Sequence, residues 1–231
     1  MITFPNNWYT IGQKPDINTI EHTLITVLKS LNCNNLALSG GVDSSYMLYC
    51  MSKVFGNNIN CYTIALNEEH PDYIHSNNIT KVFGVKWFYL LTEKRIEDKE
   101  DDFPGDGGVK SFFKWISSLE VPSIICCDGI DEFMGGYYKH MKEPVHETYY
   151  DFMLRLQKEQ LQPLDKNSEG INVLLPYLDN RLITLYNNFP MVDRFDFNDR
   201  KKLMILLAKD KIPYNILYRR KYGFVDVGVI K

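Results

Sequence analysis

Short apolar runs alternate with helical periodicity along the first 138 residues, and this alternation most constrains the fold. Four apolar runs have strand length and are expected to be buried: 36–38, 59–66, 85–91 and 121–127. Four segments carry apolar residues at helical spacing: 16–31, 44–55, 72–83 and 110–119. Strands that alternate with helices pair in parallel, and helices cover both faces of the sheet. The sequence therefore predicts an α/β fold with a parallel sheet flanked by helices.

The strand signals stop after residue 138, and helical patterns dominate the rest of the chain. They run through residue 161 and recur over 180–189 and 198–210. The acidic, turn-rich segment 97–108 is expected to be a solvated loop. We expect one domain over 1–231, with an α/β core at 16–138 and a helical C-terminal subregion at 139–231 that completes the cleft.

Composition excludes several classes of protein. The 231 residues are 45% hydrophobic with a net charge of −3, which does not require a basic face, so nucleic acid is not expected as a partner. No apolar run approaches the roughly 20 residues that cross a membrane, and the start does not resemble a signal peptide. The five cysteines form no C-x-x-C pair, which argues against a zinc ribbon or thiol relay. Adjacent Cys126 and Cys127 are expected to be small buried hydrophobes. A reduced, cytoplasmic setting without a membrane partner is predicted.

One turn carries the features of a ligand site. Segment 39–45 reads S-G-G-V-D-S-S between a predicted strand and a predicted helix. Its glycines allow a tight turn and close approach of a ligand, and the following helix offers unpaired N–H groups to an anion. Asp43 is out of place there unless a cation also binds, and Mg²⁺ shared between carboxylates and phosphate oxygens would explain it. The alternative is a plain turn in which Asp43 caps the helix. No Gly-Lys-Ser/Thr follows, so the segment is not a Walker A loop.

This turn resembles the PP-loop of the ATP pyrophosphatases, which cleave ATP between its α- and β-phosphates. Segment 128–137, D-G-I-D-E-F-M-G-G-Y, resembles E-G-A-D-E-L-F-G-G-Y of asparagine synthetases. Segment 175–179, L-P-Y-L-D, is similar to their V-P-F-L-D, and segment 219–224, R-R-K-Y-G-F, to their R-x-K-x-G-F. Four matches in order indicate the synthetase domain of that family, whose scaffold β-lactam synthetases share. The resemblance implies the PP-loop fold, also called adenine nucleotide alpha hydrolase-like.

The resemblance also implies roles for individual residues. Asp43 and Asp131 match the two carboxylates that bind Mg²⁺. Lys221 matches a catalytic lysine that meets charge developing on the phosphates and acyl centre. Asp128 stands where the family has its catalytic glutamate, on a stem one methylene shorter. The residues implied to bind ATP or pyrophosphate are Leu38, Ser39, Gly40, Gly41, Asp43, Ser44, Ser45, Leu66 and Cys126.

The activity implied is adenylation of a carboxylate by ATP with Mg²⁺, followed by capture of the acyl group by ammonia or an amine. Aspartate is the carboxylate that the resemblance implies, with asparagine as product. Ile2 stands where glutamine-using relatives have a nucleophilic cysteine, so we expect no N-terminal glutaminase domain. Nitrogen would come from free ammonia, from a separate glutaminase partner or from a substrate amine.

Two alternatives stay open at this point. The same chemistry could act on a peptide, a metabolite or a nucleobase carboxylate. The chain could also be a degenerate PP-loop protein that binds nucleotide without turnover.

Overall fold

Five strands form a parallel sheet in this computed structural model, which describes residues 13–93, 96, 98 and 104–219. The strands are β1 (Asn35–Ala37), β2 (Asn60–Ala65), β3 (Lys86–Leu91), β4 (Ser123–Ile125) and β5 (Asn172–Leu174). Their order across the sheet is β3-β2-β1-β4-β5. The predicted parallel α/β fold is confirmed.

Helices connect the strands and form most of the second half. Those of the first half are α1 (Asn18–Leu31), α2 (Val42–Phe55), α3 (Pro71–Phe83), α4 (Asp106–Ser118) and α5 (Ile130–Met134). The later ones are α6 (Tyr138–Lys142), α7 (His146–Leu156), α8 (Gln162–Lys166), α9 (Asn180–Asn187), α10 (Met191–Arg194), α11 (Lys202–Ala208) and α12 (Tyr214–Leu217). A π-helical turn, Gln157–Leu161, joins α7 to α8, and a 3₁₀ turn, Pro176–Leu178, precedes α9.

The strand order determines where a ligand can enter. The chain builds the sheet outward from β1 to β3 and then places β4 on the other side of β1, with Leu36 opposite Ile125. The connections after β1 and β4 therefore leave in opposite directions and open a crevice at the carboxyl ends of these two strands. Open α/β sheets bind their ligands at such a switch point. Segments 38–43 and 126–131 both lie at this point of the topology.

Apolar side chains cover the sheet on both faces. Leu28 of α1 and Met47 of α2 belong to a core that includes Leu36 of β1, and all three are fully buried. Phe113 of α4 and Ile124 of β4 belong to a second core cluster on the other side. Each such side chain contributes about 1.5–3 kcal/mol relative to exposure. The sheet therefore holds the crevice on a rigid base.

Several boundaries differ from the prediction. Strand β5 was not predicted; it is three residues long and pairs in parallel with β4. Helix α2 begins at Val42, so residues 43–45 form its first turn instead of ending the loop. Cys126 is buried as predicted, but Cys127 is partly exposed, and all five cysteines are free thiols.

The expectation of a solvated loop at 97–108 is wrong for its last part. Residues 105–108 are buried, and α4 begins at Asp106. The carboxylate of Asp98 accepts the backbone N–H groups of Gly105 and Gly107, each at 2.8 Å. An anion at a helix N-terminus satisfies otherwise unpaired donors, so an acidic run can begin a helix.

None of the helices in the described part of the chain is long and apolar enough to cross a membrane.

Candidate active site at the switch point

The backbone of the turn after β1 lies close to helix α3. Gly40 has φ +64°, and a Cβ there would lie 2.6 Å from the backbone nitrogen of Ser76 in α3. Any side chain would therefore collide with the backbone of α3. Gly41 has extended geometry and caps α2 with no side-chain hydrogen bond, which leaves the N–H groups of the first turn of this 14-residue helix for a ligand.

Two serine hydroxyls face one another across this turn. The Oγ atoms of Ser39 and Ser44 are 3.2 Å apart, and Ser39 Oγ accepts the Gly41 N–H at 3.3 Å. Ser39 is exposed to solvent, whereas Ser45 is fully buried. The Ser45 Oγ has no hydrogen-bond partner within the described residues. The structure thus brings the hydroxyls of Ser39 and Ser44 together at the turn and buries Ser45.

The structure brings the two predicted metal carboxylates to one point. Asp43 lies in the first turn of α2 and Asp131 in α5, after the strands that flank the switch point. Lys201 Nζ lies 2.5 Å from Asp43 Oδ2 and 2.5 Å from Asp131 Oδ1. All three side chains are close to fully buried, at 9–12% exposure. A buried cation therefore joins carboxylates that are 88 positions apart in the sequence.

A glycine makes room for this cluster. A Cβ on Gly136 would lie 1.8 Å from Asp131 Oδ1 and 2.7 Å from Lys201 Cε. The backbone N–H of Gly136 donates to the Asp131 carbonyl at 2.7 Å. The second glycine of the G-G-Y motif is thus required because the carboxylate occupies the place of its side chain.

The donor set fits a hard divalent cation that arrives with phosphate. Asp43 Oδ1 is buried and has no hydrogen-bond partner among the residues described. No group of three or more metal-ligating side chains occurs in the described part of the chain. Mg²⁺ does not need one, because it is held by one or two carboxylates together with substrate phosphates and water. Asp43 and Asp131 are the residues that would hold it.

Lys201 was not among the residues that the sequence indicated. It lies at the N-terminus of α11 in the left-handed backbone region, with φ +55°. A cation at a helix N-terminus opposes the helix dipole, and positive φ is uncommon outside glycine. The run Arg200-Lys201-Lys202 before an apolar helix was the available signal, because basic residues there work against the helix.

Other matched motifs converge on the same place. Tyr177, in the 175–179 motif, is buried and donates its hydroxyl to the backbone carbonyl of Asp43 at 2.9 Å. Asp179 of that motif instead caps α9, and hydrogen bonds from Arg181 lower the pKa of its carboxyl. The 175–179 motif therefore contacts α2 through Tyr177 and begins α9 with Asp179.

Arg219, at the end of the described chain, contacts the turn directly. Its Nη2 donates to the Ser39 carbonyl at 2.8 Å and to Asp72 Oδ1 at 2.6 Å. The pKa of His75 is lowered by burial, which is the larger cause, and by the neighbouring Arg219 guanidinium. Arg219 thus contacts both the turn and α3. Lys221 lies outside the described residues, so its role stays a prediction.

The segment after β4 carries a second polar pair. Tyr137 donates its hydroxyl to Glu132 Oε1 at 2.8 Å, and burial, then the Glu132 charge, raises the pKa of the phenol. Tyr137 therefore stays a neutral donor at physiological pH. Asp128, partly exposed, precedes α5 in the same segment. Its role also stays a prediction.

The backbone groups predicted to meet adenine are partly engaged within the protein. The Leu38 N–H donates to Tyr62 O at 2.8 Å, and its carbonyl accepts the hydroxyls of Thr63 and Ser76. The Cys126 N–H donates to Leu174 O, and the Leu66 carbonyl accepts from Glu93. Contact between adenine and these strand ends stays a prediction.

The sheet, the turn and the carboxylate pair define an α/β domain with a glycine-rich turn and two buried carboxylates at its switch point. The family model for asparagine synthase matches residues 35–142, which include β1, the turn, β4 and both carboxylates. The resemblance to the asparagine synthetases is thereby confirmed.

Two curated relatives agree with this match. The root asparagine synthetase (glutamine-hydrolyzing) of Pisum sativum is 25% identical over 225 residues, covering 82% of this chain and 38% of the relative. Asparagine synthetase (glutamine-hydrolyzing) 1 of Lotus japonicus is 30% identical over 125 residues, covering 48% of this chain and 21% of the relative. The chain thus spans well under half the length of these relatives.

Two solved structures are similar at lower identity. An NH3-dependent NAD synthetase from Campylobacter jejuni, in complex with nitrate, has a TM-score of 0.41 and 15% identity. The match covers 75% of this chain and 93% of that protein. The U34-tRNA thiolase NcsA from Methanococcus maripaludis, with its [4Fe-4S] cluster, has a TM-score of 0.48 and 14% identity, covering 91% and 70%. Such likenesses carry no argument about activity.

Proposed function

We propose that this chain is an ATP-dependent amide synthetase that activates a carboxylate as an acyl-adenylate and transfers the acyl group to ammonia or an amine. Aspartate is the proposed carboxylate, and residues 1–231 form one synthetase domain. The observation that carries the proposal is the convergence of Asp43 and Asp131 beside the α2 N-terminus. The asparagine synthase match over the same segment supports it.

The turn would bind the phosphates of ATP. The N–H groups at the start of α2 and the hydroxyls of Ser39 and Ser44 are donors that suit phosphate oxygens. Mg²⁺, held by Asp43 and Asp131, would supply charge neutralisation of the leaving pyrophosphate. Arg219, by fixing the Ser39 carbonyl and Asp72, would keep the turn seated on α3.

The chemistry would proceed in two steps. A substrate carboxylate oxygen bonds to the α-phosphorus of ATP, the bond from that phosphorus to the β-bridging oxygen breaks, and pyrophosphate leaves. The amine nitrogen then bonds to the acyl carbon, and AMP leaves with the carboxylate oxygen. The amine loses a proton to solvent in this step, and Asp128 is the carboxylate proposed to orient the amine. Lys221 is proposed to meet the charge that develops on the phosphates. Holding both reactants in one crevice supplies much of the acceleration.

The buried charges support a cation site at the switch point. Removing carboxylates and an ammonium from water costs free energy that their mutual attraction repays only in part. Replacing such a cluster with apolar residues is often neutral or stabilising, so Asp43, Asp131 and Lys201 are poorly explained by stability alone. The cluster therefore supports a working cation site, which the proposed activity requires.

The test is pyrophosphate release from ATP across a panel of carboxylates, with and without ammonium. We expect release with aspartate, and amide formation only when ammonium or an amine is present. Asp131→Asn should lower turnover by about a hundredfold or more, because a neutral amide cannot replace a metal-binding carboxylate. Asp179→Asn is the matched control, since asparagine also caps helices and the Asp179 carboxylate pairs with the exposed Arg181. Release of ADP and phosphate instead of pyrophosphate would refute the proposal, as would full activity of Asp131→Asn.

A further inference from the structure

Lys201 occupies the position at which the carboxylate pair would bind a divalent cation. Its Nζ is 2.5 Å from one oxygen of Asp43 and 2.5 Å from one oxygen of Asp131. Octahedral Mg²⁺ holds its oxygen ligands at about 2.1 Å, so Mg²⁺ bound by both carboxylates would take nearly the same place as the ammonium. Metal and ammonium therefore cannot occupy this point together.

We propose that Lys201 is a competing cation that keeps metal out of the nucleotide-free protein, so that Mg²⁺ enters the site only together with nucleotide phosphates. This inference rests on the proposed function of the site. It assigns to Lys201 a coupling role between metal and nucleotide, and not a step of the chemistry.

The surroundings of Lys201 explain why free metal alone would not displace it. The side chain is 9% exposed, and its backbone is held at φ +55° where α11 begins. An ammonium moved off both carboxylates while still buried would lack a counter-ion, which is strongly unfavourable. Nucleotide phosphates arriving at the α2 N-terminus bring the anionic charge with which the displaced ammonium can pair. Metal and nucleotide then favour each other's binding, and this coupling is reciprocal.

The geometry of Asp43 supports a site in which Lys201 stands in for another cation. Lys201 engages Asp43 through Oδ2, whereas Asp43 Oδ1 is buried without a hydrogen-bond partner in the described residues. One ammonium thus satisfies the Asp43 carboxylate incompletely. The stem of Lys201 is also confined, because its Cε lies where a side chain on Gly136 would be.

The direct test is Mn²⁺ binding to the protein without nucleotide, measured by electron paramagnetic resonance of free Mn²⁺. We expect the wild type to bind Mn²⁺ poorly and Lys201→Met to bind at least about tenfold more tightly, because the competing ammonium is then absent. Lys202→Met is the matched control. Lys202 is adjacent, but it contacts the Val192 carbonyl and Asp196 instead of the cluster, so Mn²⁺ affinity should stay unchanged. Equal or weaker Mn²⁺ binding by Lys201→Met would overturn the proposal.

A second measurement on the wild type keeps the proposal testable if Lys201→Met does not fold. Mg²⁺ alone should leave its melting temperature unchanged, whereas Mg²⁺ with a non-hydrolysable α,β-methylene ATP should raise it more than the analogue alone. A rise with Mg²⁺ alone that Asp43→Asn abolishes would show that the metal binds beside Lys201, which overturns the idea. Neither readout needs turnover, so these outcomes are distinct from failure of the proposed amide synthesis.

Discussion

Gly136→Ala tests whether the carboxylate cluster is held by the shape of the backbone around it. The added Cβ would lie 1.8 Å from Asp131 Oδ1 and 2.5 Å from its Cγ. Non-bonded heavy atoms settle above about 3 Å, so the carboxylate must retreat by more than about 1 Å. The backbone of Gly136 is not in the left-handed region, so the effect comes from the collision and not from φ strain.

The magnitude has two separate components. Inserting a methyl group into a packed region lowers the free energy of unfolding by about 1–3 kcal/mol. Displacing a group of the site by about 1 Å lowers turnover on the order of a hundredfold, or about 2.7 kcal/mol of transition-state stabilisation. We therefore expect a protein that folds, melts several degrees lower and releases pyrophosphate about a hundred times more slowly.

Gly56→Ala separates these two effects. Gly56 caps the far end of α2 at φ +62°, and nothing lies within 4 Å of a Cβ placed there. Gly56 has ψ −128°, outside the left-handed helical region, and alanine in so sparsely populated a conformation costs about 1–3 kcal/mol, so stability falls comparably while the site is untouched. Urea denaturation and pyrophosphate release would be measured on both variants at one temperature. Near-wild-type turnover in folded Gly136→Ala, or an equal loss in Gly56→Ala, would refute the packing argument.

Two further predictions use other parts of the chain. Lys221→Met should lower turnover by about a hundredfold with little change in ATP affinity, because its proposed partner is charge that develops in the transition state, whereas Arg220→Met should cost much less. Steady-state kinetics would check this, and equal effects would make the basic run a general attractor of phosphate. Burial lowers the pKa of His140 to about 4, so the folded protein keeps this imidazole neutral while the unfolded chain takes up a proton below about pH 6.5. The free energy of unfolding should therefore fall as the pH drops from about 6.5 to about 4, and less steeply in His140→Asn; identical slopes in urea titrations would contradict it.

Local sequence patterns predicted those elements that neighbouring residues specify. The strand-turn-helix unit from 35 to 55 was foreseen because apolar runs, adjacent glycines and helical spacing all lie within one short window. Strand β5 was missed for the opposite reason. It has only three residues, and it is a strand because β4 offers an unpaired edge, with Ile124 opposite Val173. No short window of sequence contains that information.

For the same reason, the sequence indicated some residues of the candidate site and missed another. Asp43 was indicated by its odd place in an anion-binding turn, and Asp131 by the resemblance of its segment. Lys201 was missed because its contact with Asp43 spans 158 positions and exists only once the sheet brings α2, α5 and α11 together. Its local signal, a cation at the start of a helix, is meaningful only when another element supplies the counter-charge.

The distribution of buried charge links the fold to the proposed chemistry. Besides the Lys201 cluster, Arg219 and Asp72 form an ion pair with both side chains at 6% exposure, beside the same turn. Buried ion pairs are often no more stabilising than apolar residues of equal size, so two such groups at one edge of the sheet are poorly explained by stability. They are explained if the crevice must bind a polyanion and a divalent cation. The unliganded site must then stay folded and must not repel either ligand. In the proposed function the carboxylates would attract the metal, Arg219 would secure the turn, and Lys201 would balance the charge until both ligands arrive.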